Sequence, residues 1–122
     1  TVVAVEYSAR DRRTLEDNVS QFGLNNVTII DHVDEQTMAD LPVPDVTMLV
    51  ASASMEQEMN CLLKLNPKME FVIYTLDFAM SDKCKALGVG DVEVIQVTVS
   101  KLSGKNTFDT QPAPWIISAR PE

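Results

Sequence analysis

Glu6 closes the short run Val2-Val3-Ala4-Val5 and is followed by Tyr7 and then Ser8-Ala9-Arg10-Asp11. A carboxylate at the end of a buried strand can accept two charge-assisted hydrogen bonds from adjacent hydroxyls, as on a ribose, and so fix that sugar in orientation. The plain alternative is a strand-end acid that meets only solvent or the N–H groups of the next helix. Tyr7 offers a flat ring that can lie against an adenine face or simply cover the helix. His32, the sole histidine, stands in Asp31-His32-Val33-Asp34. With no cysteine or second histidine at ligand spacing it is a poor metal ligand. It reads as a loop histidine without catalytic duty, or as a group beside an adenine edge. Ala51-Ser52-Ala53-Ser54 is small in every side chain, which lets a ligand approach the backbone or merely suits a tight turn. Lys101 and Lys105 carry the positive charge of a polar stretch, residues 101–114. They could meet the carboxylates of an anionic substrate, or be ordinary solvated lysines.

These side chains need elements to position them. Residues 2–5 suit a buried parallel strand. Ser8 is placed to cap a helix, with Asp11 near its positive end. Leu15, Val19 and Phe22 share a face of that helix, Gly23 suits a left-handed cap, and Leu24 can fold back on Val19. Residues 27–30 form a second strand, followed by a loop and a short helix near 35–40, with Pro42 and Pro44 punctuating the connection. Residues 46–50 form a third strand. Met55, Met59, Leu62 and Leu63 mark a helix ended by Asn66-Pro67. A fourth strand at 71–75 precedes a helix on Met80, Cys84 and Leu87, stopped by Gly88. In the run from 92 to 99 the apolar positions change phase at Ile95, which predicts burial on both faces or a bulge. The stretch 101–114 has no periodicity and is long for a hairpin loop, so it is a candidate functional loop. Residues 115–118 form a last strand.

Strands and helices thus alternate four times before two strands come in succession. That order predicts an α/β fold with a mostly parallel sheet, helices on both faces and an antiparallel last strand. Ligands in such sheets gather at the carboxyl ends of the strands, where Glu6, Tyr7, residues 31–33, residues 51–54 and residues 75–77 all fall.

The bulk numbers are those of one ordinary domain: 122 residues, 45% hydrophobic and 23% charged. No apolar run approaches the ~18 residues of a membrane span, and the first residues lack the basic start of a signal peptide. The net charge of −8 argues against nucleic acid as the main partner. The basic cluster Arg10, Arg12 and Arg13 reads as a solvated helix face. Cys61 and Cys84 lie far apart among apolar neighbours, so buried thiols and a cytoplasmic location are expected. The sequence contains no phosphate loop, G-x-S-x-G or H-E-x-x-H motif.

The order VVAVEYSARDRRTLEDNVSQFGLNNVTII, DLPVPDVTMLVASAS, LKLNPKMEFVIYT and VEVIQVTVSKL, with a late Pro-Trp-Ile-Ile strand, resembles the decarboxylating precorrin methyltransferases of cobalamin biosynthesis. The resemblance covers essentially the whole chain. It implies a Rossmann-like class I methyltransferase with S-adenosylmethionine as cofactor. It also implies a tetrapyrrole substrate, methylated at C15 while an acetate side chain loses carbon dioxide. Glu6 matches the ribose-binding acid, Ala51 and Ser52 the small strand end near the methyl group, and residues 100–107, with Ser100, Lys101 and Lys105, the loop near the tetrapyrrole. Where the family has an aspartate for the adenine amine this chain has Val33, so that Asp31 or Asp34 must take over or the contact is lost. Gly104 stands where the family shows a glycine pair. The family's first strand and glycine-rich loop would lie before Thr1, so the 122 residues are expected to be one domain that is incomplete at its start. The resemblance puts that strand between those at 2–5 and 46–50, which are then not neighbours. A homo-oligomer is possible on this reading.

Three other readings stay open: a methyltransferase of the same fold acting on RNA or a small metabolite, a nicotinamide-binding Rossmann domain, and a receiver-type signalling module. The last needs an acid at the end of a central strand, where Val50-Ala51-Ser52 stands instead.

Overall fold

A computed structural model of the chain describes residues 1–87, 90–104 and 106–121. Lys105, and Gly88 with its expected helix stop, lie outside the described residues. The chain divides into two compact units, Thr1–Val43 and Pro44–Glu122.

The first unit is a β-α-β pair followed by a short helix. Strand β1 (Val2–Val5) runs parallel to β2 (Val27–Ile30), in the register Val2 to Val27 and Val5 to Ile30. Helix α1 (Ala9–Gln21) joins them. It starts at Ser8, whose hydroxyl accepts the Asp11 N–H at 3.2 Å. It ends at Gly23, whose φ of 62° only glycine adopts without strain. The Gly23 N–H donates to the Ser20 carbonyl and the Leu24 N–H to the Val19 carbonyl, the paired bonds of a left-handed helix stop. The expected face of Leu15 and Val19 is only half-buried, Phe22 is exposed, and no residue of α1 is fully buried. Helix α2 (Glu35–Met38) is shorter than the expected 35–40.

The second unit holds a four-stranded mixed sheet in the order β3 (Val46–Val50), β4 (Glu70–Thr75), β8 (Trp115–Arg120), β5 (Asp91–Gln96). Strands β3 and β4 are parallel, and β8 is antiparallel to both β4 and β5. Strands β1 and β3 lie in separate sheets, each bonded to its own partner. Helices α3 (Met55–Leu65) and α4 (Met80–Ala86) follow β3 and β4. Alternation fixes two sheet faces. Phe71, Ile73, Ile117 and Ala119 are fully buried and share one face. Met55, Met59 and Leu62 of α3 and Met80 and Cys84 of α4 complete this core. The opposite face carries Met48, Val50 and Tyr74, which are exposed, beside Val72 and Ile116. These residues and Leu49 line an open concavity of about 230 Å³.

Two expectations differ from the structure. Strand β5 ends at Gln96, with one further bond from the Val97 N–H to the Pro114 carbonyl at 3.1 Å, so the change of phase after Ile95 marks the end of the strand rather than a bulge, and Val97 and Val99 are exposed. The stretch after it contains a hairpin, β6 (Ser100–Leu102) with β7 (Phe108–Thr110), antiparallel with Leu102 opposite Phe108. Three-residue strands are too short to leave a periodic signal. Cys61 and Cys84 are free thiols and buried, as expected, and burial pushes the Cys84 thiol up from its ordinary value. Among the described residues no helix is long and apolar enough to cross a membrane.

Candidate functional site

Parallel pairing of β1 with β2 brings Glu6 and Asp31 out side by side, since Val5 is opposite Ile30 and the Glu6 N–H donates to the Ile30 carbonyl at 3.1 Å. The Glu6 side chain is partly committed. Its Oε1 accepts the Ser8 N–H at 2.9 Å, and Arg12 of α1 donates to the Glu6 carbonyl at 2.9 Å. The acid thus meets the helix start, as the plain alternative had it, but Oε2 has no partner among the described residues. The result is a carboxylate held in place by one oxygen with acceptor capacity left over. Arg12 is part of this scaffold, whereas Arg10 and Arg13 remain exposed. Tyr7 is exposed beside Glu6.

The loop after β2 is tied by its own side chains. His32 Nδ1 lies 2.6 Å from Asp31 Oδ1, and Nε2 lies 2.8 Å from Asp34 Oδ2. Asp34 caps α2: its Oδ1 accepts the Thr37 N–H at 2.6 Å, and the Thr37 hydroxyl accepts the Asp34 N–H at 3.0 Å. That reciprocal arrangement satisfies two N–H groups at a helix start. The hydrogen bond to Asp31, then that to Asp34, raises His32 above the ordinary histidine value. Asp31 is held below the usual carboxylate range by His32, and Asp34 by the Thr37 N–H and hydroxyl before His32. Val33, half-buried between them, has no polar atom in its side chain. Among the described residues no group of three or more His, Cys, Asp or Glu side chains could hold a metal ion.

In the second unit the small-residue strand end is also real. The Ala51 N–H donates to the Tyr74 carbonyl at 2.9 Å and prolongs the β3–β4 pairing by one residue. Ala51 is half-buried and Ser52 exposed. Ser52 Oγ lies 3.1 Å from Ser54 Oγ, which donates to Glu58 Oε1 at 3.1 Å. Ser54 precedes α3 but makes no side-chain cap, its hydroxyl being turned to Glu58 instead. Glu58 is 6% exposed. Sequence reasoning passed over this buried acid, although its place three residues after Met55 put a carboxylate on the core face of the helix.

At the same end of this sheet Thr75 of β4 pairs with Trp115 of β8, which in turn pairs with Gln96 of β5. Phe78 packs against Trp115 with ring centroids 5.0 Å apart. The hairpin leaves β5 and returns into β8 from this end. It exposes Leu102 and Phe108, and Leu76 and Phe78, which follow β4, are exposed as well. Ser100 and Lys101 lie on β6, with Lys101 opposite Asp109. An acid directly across the ladder offsets part of the positive charge that sequence reasoning gave this segment.

The structure therefore groups Glu6 and Tyr7 with residues 31–34 in the first unit. In the second it places Ala51 and Ser52 beside the end of β4, and Ser100 and Lys101 on the hairpin.

A scan against protein-family models finds no match, and neither does a search of the curated proteins. Solved structures do match. A precorrin-6Y C5,15-methyltransferase from Geobacter metallireducens superposes with a TM-score of 0.82 at 21% identity, over 98% of this chain and 66% of that one. The precorrin-8W decarboxylase of Methanobacterium thermoautotrophicum does so with 0.76 at 15% identity, over 96% and 68%. An rRNA methylase from Streptococcus thermophilus matches with 0.62 at 13% identity, over 100% and 74%. The chain spans about two thirds of the length of the first two. At such identities the likeness is one of fold: these residues have the Rossmann-like α/β fold of the class I methyltransferases.

Proposed function

We infer that this chain binds S-adenosylmethionine at the carboxyl ends of its strands. We further infer that it belongs to an enzyme that methylates a precorrin tetrapyrrole at C15 with loss of an acetate carboxyl group as carbon dioxide. The observation that carries the cofactor reading is Glu6, a strand-end carboxylate anchored through Oε1 and left with Oε2 as an acceptor for a ribose hydroxyl. The acceptor set fits the nucleoside. Asp34 spends both oxygens on Thr37 and His32, while Asp31 meets His32 through Oδ1 alone. Asp31, rather than Asp34 or Val33, is then the acceptor for an adenine amine. Tyr7 offers a ring to the base.

The cofactor supplies a methyl group already activated on a sulfonium. The task of the chain is to hold and orient, a proximity effect that needs no acid–base pair. Ala51 and Ser52 leave room beside the backbone for the methyl acceptor. The apolar residues Leu76, Phe78, Leu102 and Phe108 suit a large flat macrocycle, and Ser100, Lys101 and Lys105 suit its carboxylates. The likeness to two proteins named for precorrin chemistry supports this substrate class.

In the full-length protein Glu6→Ala should weaken S-adenosylmethionine binding, measured by calorimetry, by about 1.5–3 kcal/mol for each charged hydrogen bond lost. Unchanged affinity removes Glu6 from the site. Incubation with a cobalt-precorrin should give a product one methyl heavier and one carbon dioxide lighter by mass spectrometry. Replacing Lys101 and Lys105 by Ala should raise KM for that substrate. Methyl transfer to RNA but not to the tetrapyrrole would favour the other reading of the same fold, which the rRNA methylase match keeps in view.

A further inference from the structure

At the end of β2 two carboxylates hold one imidazole by both of its nitrogens, at 2.6 Å from Asp31 and 2.8 Å from Asp34. An ionised carboxylate only accepts hydrogen bonds. With both carboxylates ionised, the two contacts are hydrogen bonds together only when both ring nitrogens carry protons, so the geometry favours an imidazolium. A neutral ring has one N–H and would turn a lone pair towards one of the two acids. The neighbouring charges favour the cation. Asp31 and Asp34, on the same loop, are the negative groups that act on the ring. Arg12 of α1 is positive and acts on Asp31.

We propose that His32 is a positioning residue, whose imidazolium ties Asp31 to the capped start of α2, holds the loop after β2 in shape for a nucleoside bound beside Glu6, and lets the loop go when the ring loses its proton. The proposal rests on the reading of these strand ends as the cofactor site. The Asp34–Thr37 pairing does not involve the ring proton, so α2 stays capped when the ring is neutral, and the part released is Asp31. The direction follows from the raised value of His32 and the lowered values of Asp31 and Asp34. The tie is fully present below the ordinary histidine value of about 6.5 and is lost as pH rises through the higher value of the folded chain. On the acid side it is lost only as pH falls through the depressed values of the two aspartates.

His32 is the sole histidine, so its ring nitrogens give unambiguous signals in a long-range ¹H–¹⁵N spectrum. Both should be protonated below the ordinary histidine value, and the titration midpoint should lie above that of a free histidine and fall in Asp31→Asn. S-adenosylmethionine affinity is then measured by calorimetry from pH 6 to pH 9 for the wild type and for His32→Gln, with circular dichroism as the check on folding. The ratio of the two affinities cancels any titration of the ligand itself. That ratio should fall by about fivefold across the His32 titration, the low end of coupling between linked equilibria. A titration midpoint no higher than that of a free histidine, or one unmoved by Asp31→Asn, overturns the proposal, and so does a ratio that does not change with pH. A doubly protonated ring in a protein that binds no S-adenosylmethionine at any pH instead overturns the cofactor reading, and the coupling with it.

Discussion

In Thr1–Val43 a single apolar side chain, Met38, is buried, whereas in Pro44–Glu122 the buried apolar set runs from Met55 through Phe71 and Ile73 to Ile117 and Ala119. The first unit keeps its shape by polar means. Ser8 caps α1, Gly23 stops it, Arg12 ties it to the Glu6 carbonyl, and His32 and Thr37 lace the loop that starts α2. The second unit keeps its shape by removing apolar area from water, on one face of its sheet. The difference separates two kinds of order. Burial gives stability that changes little with pH, while hydrogen bonds among ionisable groups give accurate placement that does change with pH. The groups proposed to hold the cofactor are in the unit with almost no core of its own. That is where local opening should be easiest and where a bound ligand should steady the chain most.

The largest expected effect tests the burial half of the comparison. Phe71 is fully buried, so Phe71→Ala removes its apolar contacts and leaves a cavity, at a cost of about 3–5 kcal/mol. Trp115 is the sole tryptophan and lies in the same sheet, so its fluorescence during urea unfolding reads this loss. A cost below 1 kcal/mol would mean that the core of the second unit is not the source of its stability.

The smaller effect of Ser8→Ala tests the polar half. Losing the cap should cost about 1 kcal/mol. It should appear as faster hydrogen exchange at the first amides of α1, with the Trp115 transition unmoved. If both units lose stability together, the contrast drawn between them is wrong.

What was legible in the sequence follows the same division. Local chemistry with a fixed spacing could be read. Ser8 three residues before Asp11 announced the cap, Gly23-Leu24 announced the helix stop, and apolar runs announced β1 to β4 and β8. Contacts that depend on rotamers or on distant partners could not. The spacing of Asp31, His32 and Asp34 was in view, but nothing in it said that both ring nitrogens would be engaged. That Glu6 divides its oxygens between a helix start and open space depends on how β1 turns into α1. The hairpin at 100–110 was missed because its strands are three residues long, and Lys101 was read without Asp109, which stands opposite it only once the ladder has formed.

The smallest expected effect concerns the other face of the second sheet. Met48 is 80% exposed on β3, directly opposite Val72 of β4, in the same row that carries Val50 and Tyr74. A side chain already in water gives up little on becoming polar, so Met48→Thr should change stability by less than about 0.5 kcal/mol. Threonine also brings the β-branched shape that strands favour, which limits any change in the backbone. Here the comparison is between two faces of one sheet, and Phe71→Ala supplies the other arm under the same conditions. The pair should be measured at several protein concentrations. A Met48→Thr cost that stays small throughout leaves this face open to solvent. A cost that approaches that of Phe71→Ala and grows with concentration would mean that copies of the chain bury the face against one another, since only association makes stability depend on concentration in that way.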